Sequence, residues 1–404
     1  MSAVPERIHL CLANIGDAEE RYIHDAISKN WVTSLGPEVD RFENLLTRYL
    51  QSPANSVSES YVGKEILQSD RNLSVLCVSS GTAALHLALL LLGVGSGDEV
   101  LCQSWTFAAS VNPVCYVGAK PVFVDSDSLT WNIDPDLLKS AIEDRIKITG
   151  HPPKAMIIVD LYGMPAQWNK IRRIAREYGI PIVEDSAEAL GSCYDGSLCG
   201  TFGDFGILSF NGNKMITTGA GGALICRNRS VRDKALYYAT QAKQRLPYYE
   251  HTEIGYNYRL SNISAAIGCG QMEMLESHLR HHRMLCELYD RELRGIPGLS
   301  VHRNPSGKYD SNYWLTTVLF DNNESSDVTC IDRLMKYLDA NNIESRRLWK
   351  PMHLQPVYKD CPAYLNGVSG RLWGVGLCLP SGPKVTAGDA VKVCRCIKEF
   401  FEKR

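Results

Sequence analysis

From Leu73 onward, short apolar runs alternate with longer runs of helical period. "LSVLCVS", "EVLCQS", "KPVFVD", "AMIIVD", "IPIVEDS", "GILSFN" and "GALICR" are brief, rich in β-branched residues and apolar on both faces. "TAALHLALLLLG" and "WNKIRRIAREYG" separate some of them with helical spacing. Strands apolar on both faces, interleaved with helices, predict an α/β fold: a mostly parallel central sheet with helices on both faces. Such sheets bind ligands at the carboxyl ends of their strands.

Outside this block, residues 15–31 read as an amphipathic helix and Ser34–Pro37 as a turn. A second helical stretch passes through Phe42, Leu45, Leu46 and Tyr49. Residues 51–72 are polar and poorly periodic, the pattern of a surface insertion. A long helical pattern runs from Ser261 to about Leu293, and "YWLTTVLF", "CIDRLMKYLDANNI" and "AVKVCRCIKEFFEK" mix strand and helix. The expected organisation is an N-terminal segment plus a large unit over 1–270 and a smaller α+β unit over 271–404. No internal repeat or low-complexity tract is visible.

Composition narrows the partners. The 404 residues include 43 Lys plus Arg and 45 Asp plus Glu, a net charge of −2. Near-neutrality argues against a nucleic acid or an anionic membrane as main partner, while leaving room for a local basic pocket. The fourteen cysteines have no framework spacing and "MSAVPERIHL" lacks a long apolar leader, so reduced thiols and a cytoplasmic location are expected. The longest apolar run, Ala83 to Val94, is interrupted by His86 and too short to span a bilayer.

Three strand ends carry candidate chemistry. In "SFNGNKMITTGAGGAL" an apolar strand ends at Phe210 and Lys214 follows in a short polar loop, where ligands of such a sheet sit. Joined to an aldehyde as an imine, such a lysine becomes the handle of a covalent mechanism; a solvated loop lysine is the other reading. In "IPIVEDSAEALGS", Glu184, Asp185 and Glu188 end a strongly apolar strand. An acid there suits a protonated heteroaromatic nitrogen, or caps the following helix. In "VSSGTAALHLAL" a strand stops at Ser79, Gly81 allows a tight turn and a helix begins near Thr82. Free amides and the helix dipole make that corner a phosphate site, although the pattern also occurs as a plain corner.

Two other segments are set aside. "GVGSGD" at Gly93–Asp98 follows a helix rather than a strand, against a dinucleotide loop. "HLRHHR" at His278–Arg283 has no matching acidic or cysteine ligands, so it is expected to be a solvated helical face and no metal site is expected.

Taken in order, "WVTSLGPEVDRFE", "GDFGILSFNGNKMITTGAGGAL", "GYNYRLSNISAAIG" and "LWKPMHLQPVY" resemble the DegT/DnrJ/EryC1/StrS family of sugar aminotransferases over nearly the whole chain. The resemblance implies the fold-type-I pyridoxal phosphate architecture, with pyridoxal 5′-phosphate as cofactor. It implies that Lys214 carries the cofactor as a Schiff base and that Asp185 partners the pyridine nitrogen. Gly81, Thr82 and Ala83 are implied as the phosphate turn, with Ser209 as a further phosphate ligand. Phe107, or failing it Trp105, is implied to stack on the cofactor face. Asn257 is implied to reach the phosphate of a neighbouring subunit, hence a homodimer with shared active sites.

Retention of Lys214 favours transamination over the dehydration that relatives with histidine there perform. Many relatives have His or Gln where this chain has Glu188. "EDSAEALGS", "SFNGNKMITT", "RLWKPMHLQPVY" and "GLCLPSGPKVT" resemble the branch acting on UDP-4-keto-6-deoxy-N-acetylglucosamine, in the bacillosamine pathway, with L-glutamate as donor. Arg347 departs from the proline usual there. Glu188 is expected to contact either the cofactor ring or the incoming sugar amine. Ser34 is a candidate sugar or nucleotide contact, as is His353, which is equally readable as a structural histidine. The rivals are a pyridoxamine phosphate-dependent dehydratase and a silent binding protein.

Overall fold

The computed structural model describes residues 6–52, 72–320 and 328–402. Most of the expected insertion at 51–72 therefore lies outside the described residues.

An eight-stranded sheet organises the chain. Its order is Ser74–Val78, Gly222–Cys226, Phe205–Ser209, Ile182–Asp185, Ala155–Val159, Glu99–Gln103, Lys120–Val124 and Ala363–Tyr364. Every pairing from Phe205–Ser209 outward is parallel, and Gly222–Cys226 runs antiparallel to both its neighbours. All strands except Gly222–Cys226 therefore point the same way, and their carboxyl ends share one edge.

Alternation along the strands explains the layers. Val100, Cys102, Ile157 and Val183 pack with the helix Gly81–Leu91 on one face. Leu101, Met156, Ile158 and Ile182 pack on the other face with Leu138 and Ile142 of Pro135–Thr149 and Ile171 and Ile174 of Trp168–Tyr178. Side chains of opposite parity thus meet opposite helix layers, as period-two geometry requires. The run from Ala83 is one of these covering helices, and no helix among the described residues is long and apolar enough to cross a membrane.

The helices Asp17–Ser28 and Pro37–Gln51 pack on the helix Asn262–Leu293, which runs continuously through residue 270. Beyond it, a four-stranded antiparallel sheet joins Leu299–Val301, Thr316–Phe320, Gly376–Leu379 and Arg346–Arg347. The helices Val328–Ala340 and Ala387–Glu402 belong to this layer, and its core also takes Ile8 from the start of the chain. All fourteen cysteines are free thiols.

Candidate active site

A cavity of about 630 Å³ opens at the shared carboxyl edge. The residues that line it come from loops after Ser74–Val78, Glu99–Gln103, Ile182–Asp185 and Phe205–Ser209, from Leu10, Cys11 and Leu12, and from the C-terminal layer, so it exists only once the sheet and that layer have assembled.

The first wall is the corner after Ser74–Val78. Ser80 caps the helix Gly81–Leu91, its hydroxyl accepting the Ala83 amide at 3.0 Å. The Gly81 and Thr82 amides lie in the first turn, where no intrahelical acceptor exists, and both residues line the cavity. Ser209 adds a hydroxyl from the next strand but one. Backbones approach closely here: a Cβ on Gly222 would lie 2.3 Å from the Gly81 nitrogen, and one on Gly81 would lie 3.3 Å from the Ser209 Cβ. The result is an anion cradle of amides, hydroxyls and a helix N-terminus. The Ala83 amide, engaged by Ser80, is a correction to the expected three-residue turn: it is not free for a phosphate.

Asp185 ends the strand Ile182–Asp185, buried but facing the cavity. It accepts the Ser110 hydroxyl at 2.6 Å and the Ala187 amide at 3.2 Å. Burial raises its pKa, opposed by Ser110, the Ala187 amide and Lys214. Its neighbour Glu184 points the other way and accepts the amides of Gly200, Phe202 and Gly203. Glu184 therefore anchors the loop after the hairpin Cys193–Leu198. It lies beside Asp160 and Cys199, with the Ser186 hydroxyl between the two carboxyl groups.

Lys214 sits in the turn after Phe205–Ser209, its Nζ 3.3 Å from Glu188 Oε1 and 4.0 Å from the centroid of the Trp314 ring. Glu188 Oε2 accepts the Tyr162 amide at 2.7 Å. Tyr162 holds a left-handed backbone (φ 53°), a strained state for a bulky residue, and its hydroxyl accepts the Trp349 amide at 2.9 Å. Burial lifts the Glu188 pKa to about 7, against the pull of Lys214 and the Tyr162 amide. A primary amine and a carboxyl poised near neutrality thus face one cavity, a suitable pair for moving protons.

The remaining expected residues divide. Phe107 is exposed at the cavity wall, its ring 5.3 Å from that of Trp349. Trp105, the fallback, is fully buried, stacked on Trp131 and bonded to the Trp349 carbonyl, which rules out the cofactor-face role. Asn257 is exposed in a segment bridged to Thr240, and Ser34 is exposed on its turn; neither is among the cavity-lining residues of the single chain. His353 also lies outside them, its Nδ1 held 2.6 Å from the Ser104 hydroxyl. Arg347 does line the cavity while pairing with Asp332. The "HLRHHR" segment is a correction: His278 and His282 are buried and bonded to the carbonyls of Met215 and Tyr313. Trp314, Ser110 and Thr106 also line the cavity, and the sequence pattern does not single them out.

This donor set fits pyridoxal phosphate: an amine for the aldehyde, a buried carboxylate for the ring nitrogen and an anion cradle for the phosphate. The sheet and site define a pyridoxal phosphate aminotransferase. Residues 64–398 match the DegT/DnrJ/EryC1/StrS aminotransferase family, and the chain belongs to it. It is 39% identical over 400 residues to the putative pyridoxal phosphate-dependent aminotransferase EpsN of Bacillus subtilis, covering 98% of this chain and 96% of that protein. It is 34% identical to the GDP-perosamine synthase of Vibrio cholerae, covering 95% and 96%. A crystal structure of a DegT DnrJ EryC1 StrS aminotransferase from Brucella abortus superposes with a TM-score of 0.83 at 30% identity, covering 97% of this chain and 99% of that one. The expected fold class and cofactor are thereby established, and the chain is a pyridoxal phosphate-dependent sugar aminotransferase.

Proposed function

We propose that the enzyme transfers the amino group of L-glutamate to a nucleotide-linked 4-keto-6-deoxy sugar, UDP-4-keto-6-deoxy-N-acetylglucosamine, for glycan biosynthesis. The observation that carries the reaction type is the meeting of Lys214, Glu188, Asp185 and the first turn of Gly81–Leu91 around one cavity. Relatives named GDP-perosamine synthase support a nucleotide-linked sugar as acceptor. The choice of the UDP-linked N-acetyl sugar rests on "EDSAEALGS" and "SFNGNKMITT".

In this reading Gly81, Thr82 and Ser209 hold the phosphate, Asp185 faces the ring nitrogen and Phe107 covers the ring. The bound cofactor supplies an electron sink for the bonds around the reacting carbon. Lys214 Nζ takes the proton from the donor Cα and returns one at the acceptor carbon, acting as base and then as acid. Glu188, tied to Lys214 and to the Tyr162 amide, orients that amine. Asn257 and Ser34, both exposed on the single chain, are assigned to the shared side of a homodimer. His353, held by Ser104, is assigned to the nucleotide end of the substrate. The division into a cofactor unit over 1–270 and a smaller unit over 271–404, and a cytoplasmic location, belong to the same reading.

The test is the absorption spectrum of the holoenzyme before and after L-glutamate, then after UDP- and GDP-linked keto sugars. Loss of the visible cofactor band with glutamate and its return with the UDP sugar is the expected result. Return with the GDP sugar alone overturns the acceptor assignment, and a band unmoved by glutamate overturns the donor.

A further inference from the structure

We infer that Ser110, backed by Thr106, is a positioning residue that keeps Asp185 ionised and turns one carboxylate oxygen toward the cofactor's ring nitrogen. The inference rests on the reading that Asp185 faces that nitrogen.

The argument is a count of protons. Ser110 Oγ lies 2.6 Å from Asp185 Oδ2 and 2.6 Å from Thr106 Oγ1. A serine hydroxyl has a single proton to give. Given to an ionised Asp185, it leaves Ser110 Oγ as acceptor, so Thr106 Oγ1 must be the donor in the second contact. The three groups form a directed chain from Thr106 through Ser110 to Oδ2. Thr106, Ser110 and Asp185 are all buried, and all three line the cavity.

The other oxygen is less engaged. Asp185 Oδ1 accepts the Ala187 amide at 3.2 Å, and a carboxylate oxygen has room for a second donor. Each oxygen takes one donor, and Oδ1, with the longer contact, is the less strongly held of the two. Were Asp185 neutral, its proton would compete with the one the ring nitrogen must carry. Burial pushes toward that neutral form; Lys214 opposes it, while an ionised Glu188 reinforces it. Ser110 supplies a short hydrogen bond to the charged form, roughly doubled in strength relative to a neutral pair. The same five-residue turn carries Phe107, so one loop sets both the face and the edge of the ring site.

The test uses holoenzyme loaded with pyridoxal phosphate labelled at the ring nitrogen, read by nitrogen NMR across pH, with cofactor affinity measured in parallel. In Ser110→Ala the pH at which the ring nitrogen loses its proton is expected to fall by roughly one to two units, with cofactor affinity about tenfold lower, as loss of one charge-assisted hydrogen bond implies. Ser110→Thr, which keeps the hydroxyl, is expected to restore both. Thr106→Val shifts the midpoint in the same direction by less, and carries the test if Ser110→Ala does not fold. Unchanged midpoints in whichever of the two folds, while Asp185→Asn moves it, overturn the role of the hydroxyl chain alone. An Asp185→Asn variant that leaves the ring nitrogen unmoved overturns the placement of Asp185 itself.

Discussion

Replacing Glu188 with glutamine keeps the shape of the side chain and removes its charge, and the consequence for stability is expected to depend on pH with a definite sign. The carboxyl is 6% exposed, with the Tyr162 amide on one oxygen and Lys214 on the other. Burial dominates and lifts its pKa from 4.5 to about 7. A carboxyl with a higher pKa folded than unfolded takes up a proton on folding between those two values. Its contribution is fully present below the unfolded value and is lost as pH rises through the folded one. At about 1.4 kcal/mol per pH unit, the full swing is about 3 kcal/mol. Chemical unfolding of the cofactor-free wild type and Glu188→Gln should therefore differ by a constant amount at low pH. Between the two pKa values the difference should move by about 3 kcal/mol in favour of the glutamine variant, the other titrating groups cancelling in the comparison. The same ionisation should give the wild type a limb near neutrality in the rate of the glutamate half-reaction, absent from the variant. A stability difference that stays flat across that interval would refute the argument that burial outweighs Lys214 at this carboxyl.

Three further outcomes follow from the geometry. Lys214→Ala is expected to lower transamination by at least the roughly 10²–10⁴-fold that positioned acid–base groups contribute, with the visible cofactor band lost and circular dichroism unchanged. Glu43→Ala is expected to destabilise the protein by about 3–5 kcal/mol in chemical unfolding, because it leaves the buried guanidinium of Arg259 and that of Arg232 without their shared carboxylate and the Cys77 amide without its acceptor. Gly222→Ala places a Cβ 2.3 Å from the Gly81 nitrogen, so it is expected to displace the phosphate corner and weaken cofactor binding more than it slows catalysis at saturating cofactor, measured by equilibrium titration.

The central sheet was legible because its strands are buried on both faces, which writes them as continuous apolar runs. The helix Pro135–Thr149 is weakly written in the sequence, although its start is marked. Asp134 caps the Asp136 and Leu137 amides and Pro135 follows, but six of the fifteen helix residues are charged, which blurs the apolar face. Helix Arg229–Ala239 was missed on a similarly mixed pattern, with Asn228 as its cap. In "HLRHHR" the spacing of four that joins His278 to His282 puts both on the face of Leu275, Leu279 and Leu285, which is buried; charge at Arg280 and Arg283 masked that face.

The site residues that were read, Lys214, Asp185, Gly81 and Thr82, lie where a strand ends, and strand ends are visible in sequence. Those that were missed act through contacts with no local signal. Trp314 meets Lys214 from a residue one hundred positions away, just before the strand Thr316–Phe320. Ser110 ends "SWTFAAS" with no local mark of its role, and its small hydroxyl reaches Asp185 across the sheet edge.

One short segment shows why the chemistry needs the fold rather than the motif. Glu184, Asp185 and Glu188 lie within five residues, yet each meets a different environment. Glu184 is tied to three backbone amides of a neighbouring loop and serves structure. Asp185 is raised by its burial, and a hydroxyl, an amide and the field of Lys214 offset part of that rise. Glu188, with one amide and the lysine itself, is held near neutrality. One short segment thus supplies a structural anchor, an acid held by Ser110 and an acid beside the amine, although burial raises the pKa of all three. The strand's alternation sends Glu184 and Asp185 to opposite faces, and the turn at Ser186–Ala187 brings Glu188 back beside the amine. That division of labour is therefore a product of the backbone geometry at the strand's end, which acidic composition alone would not produce.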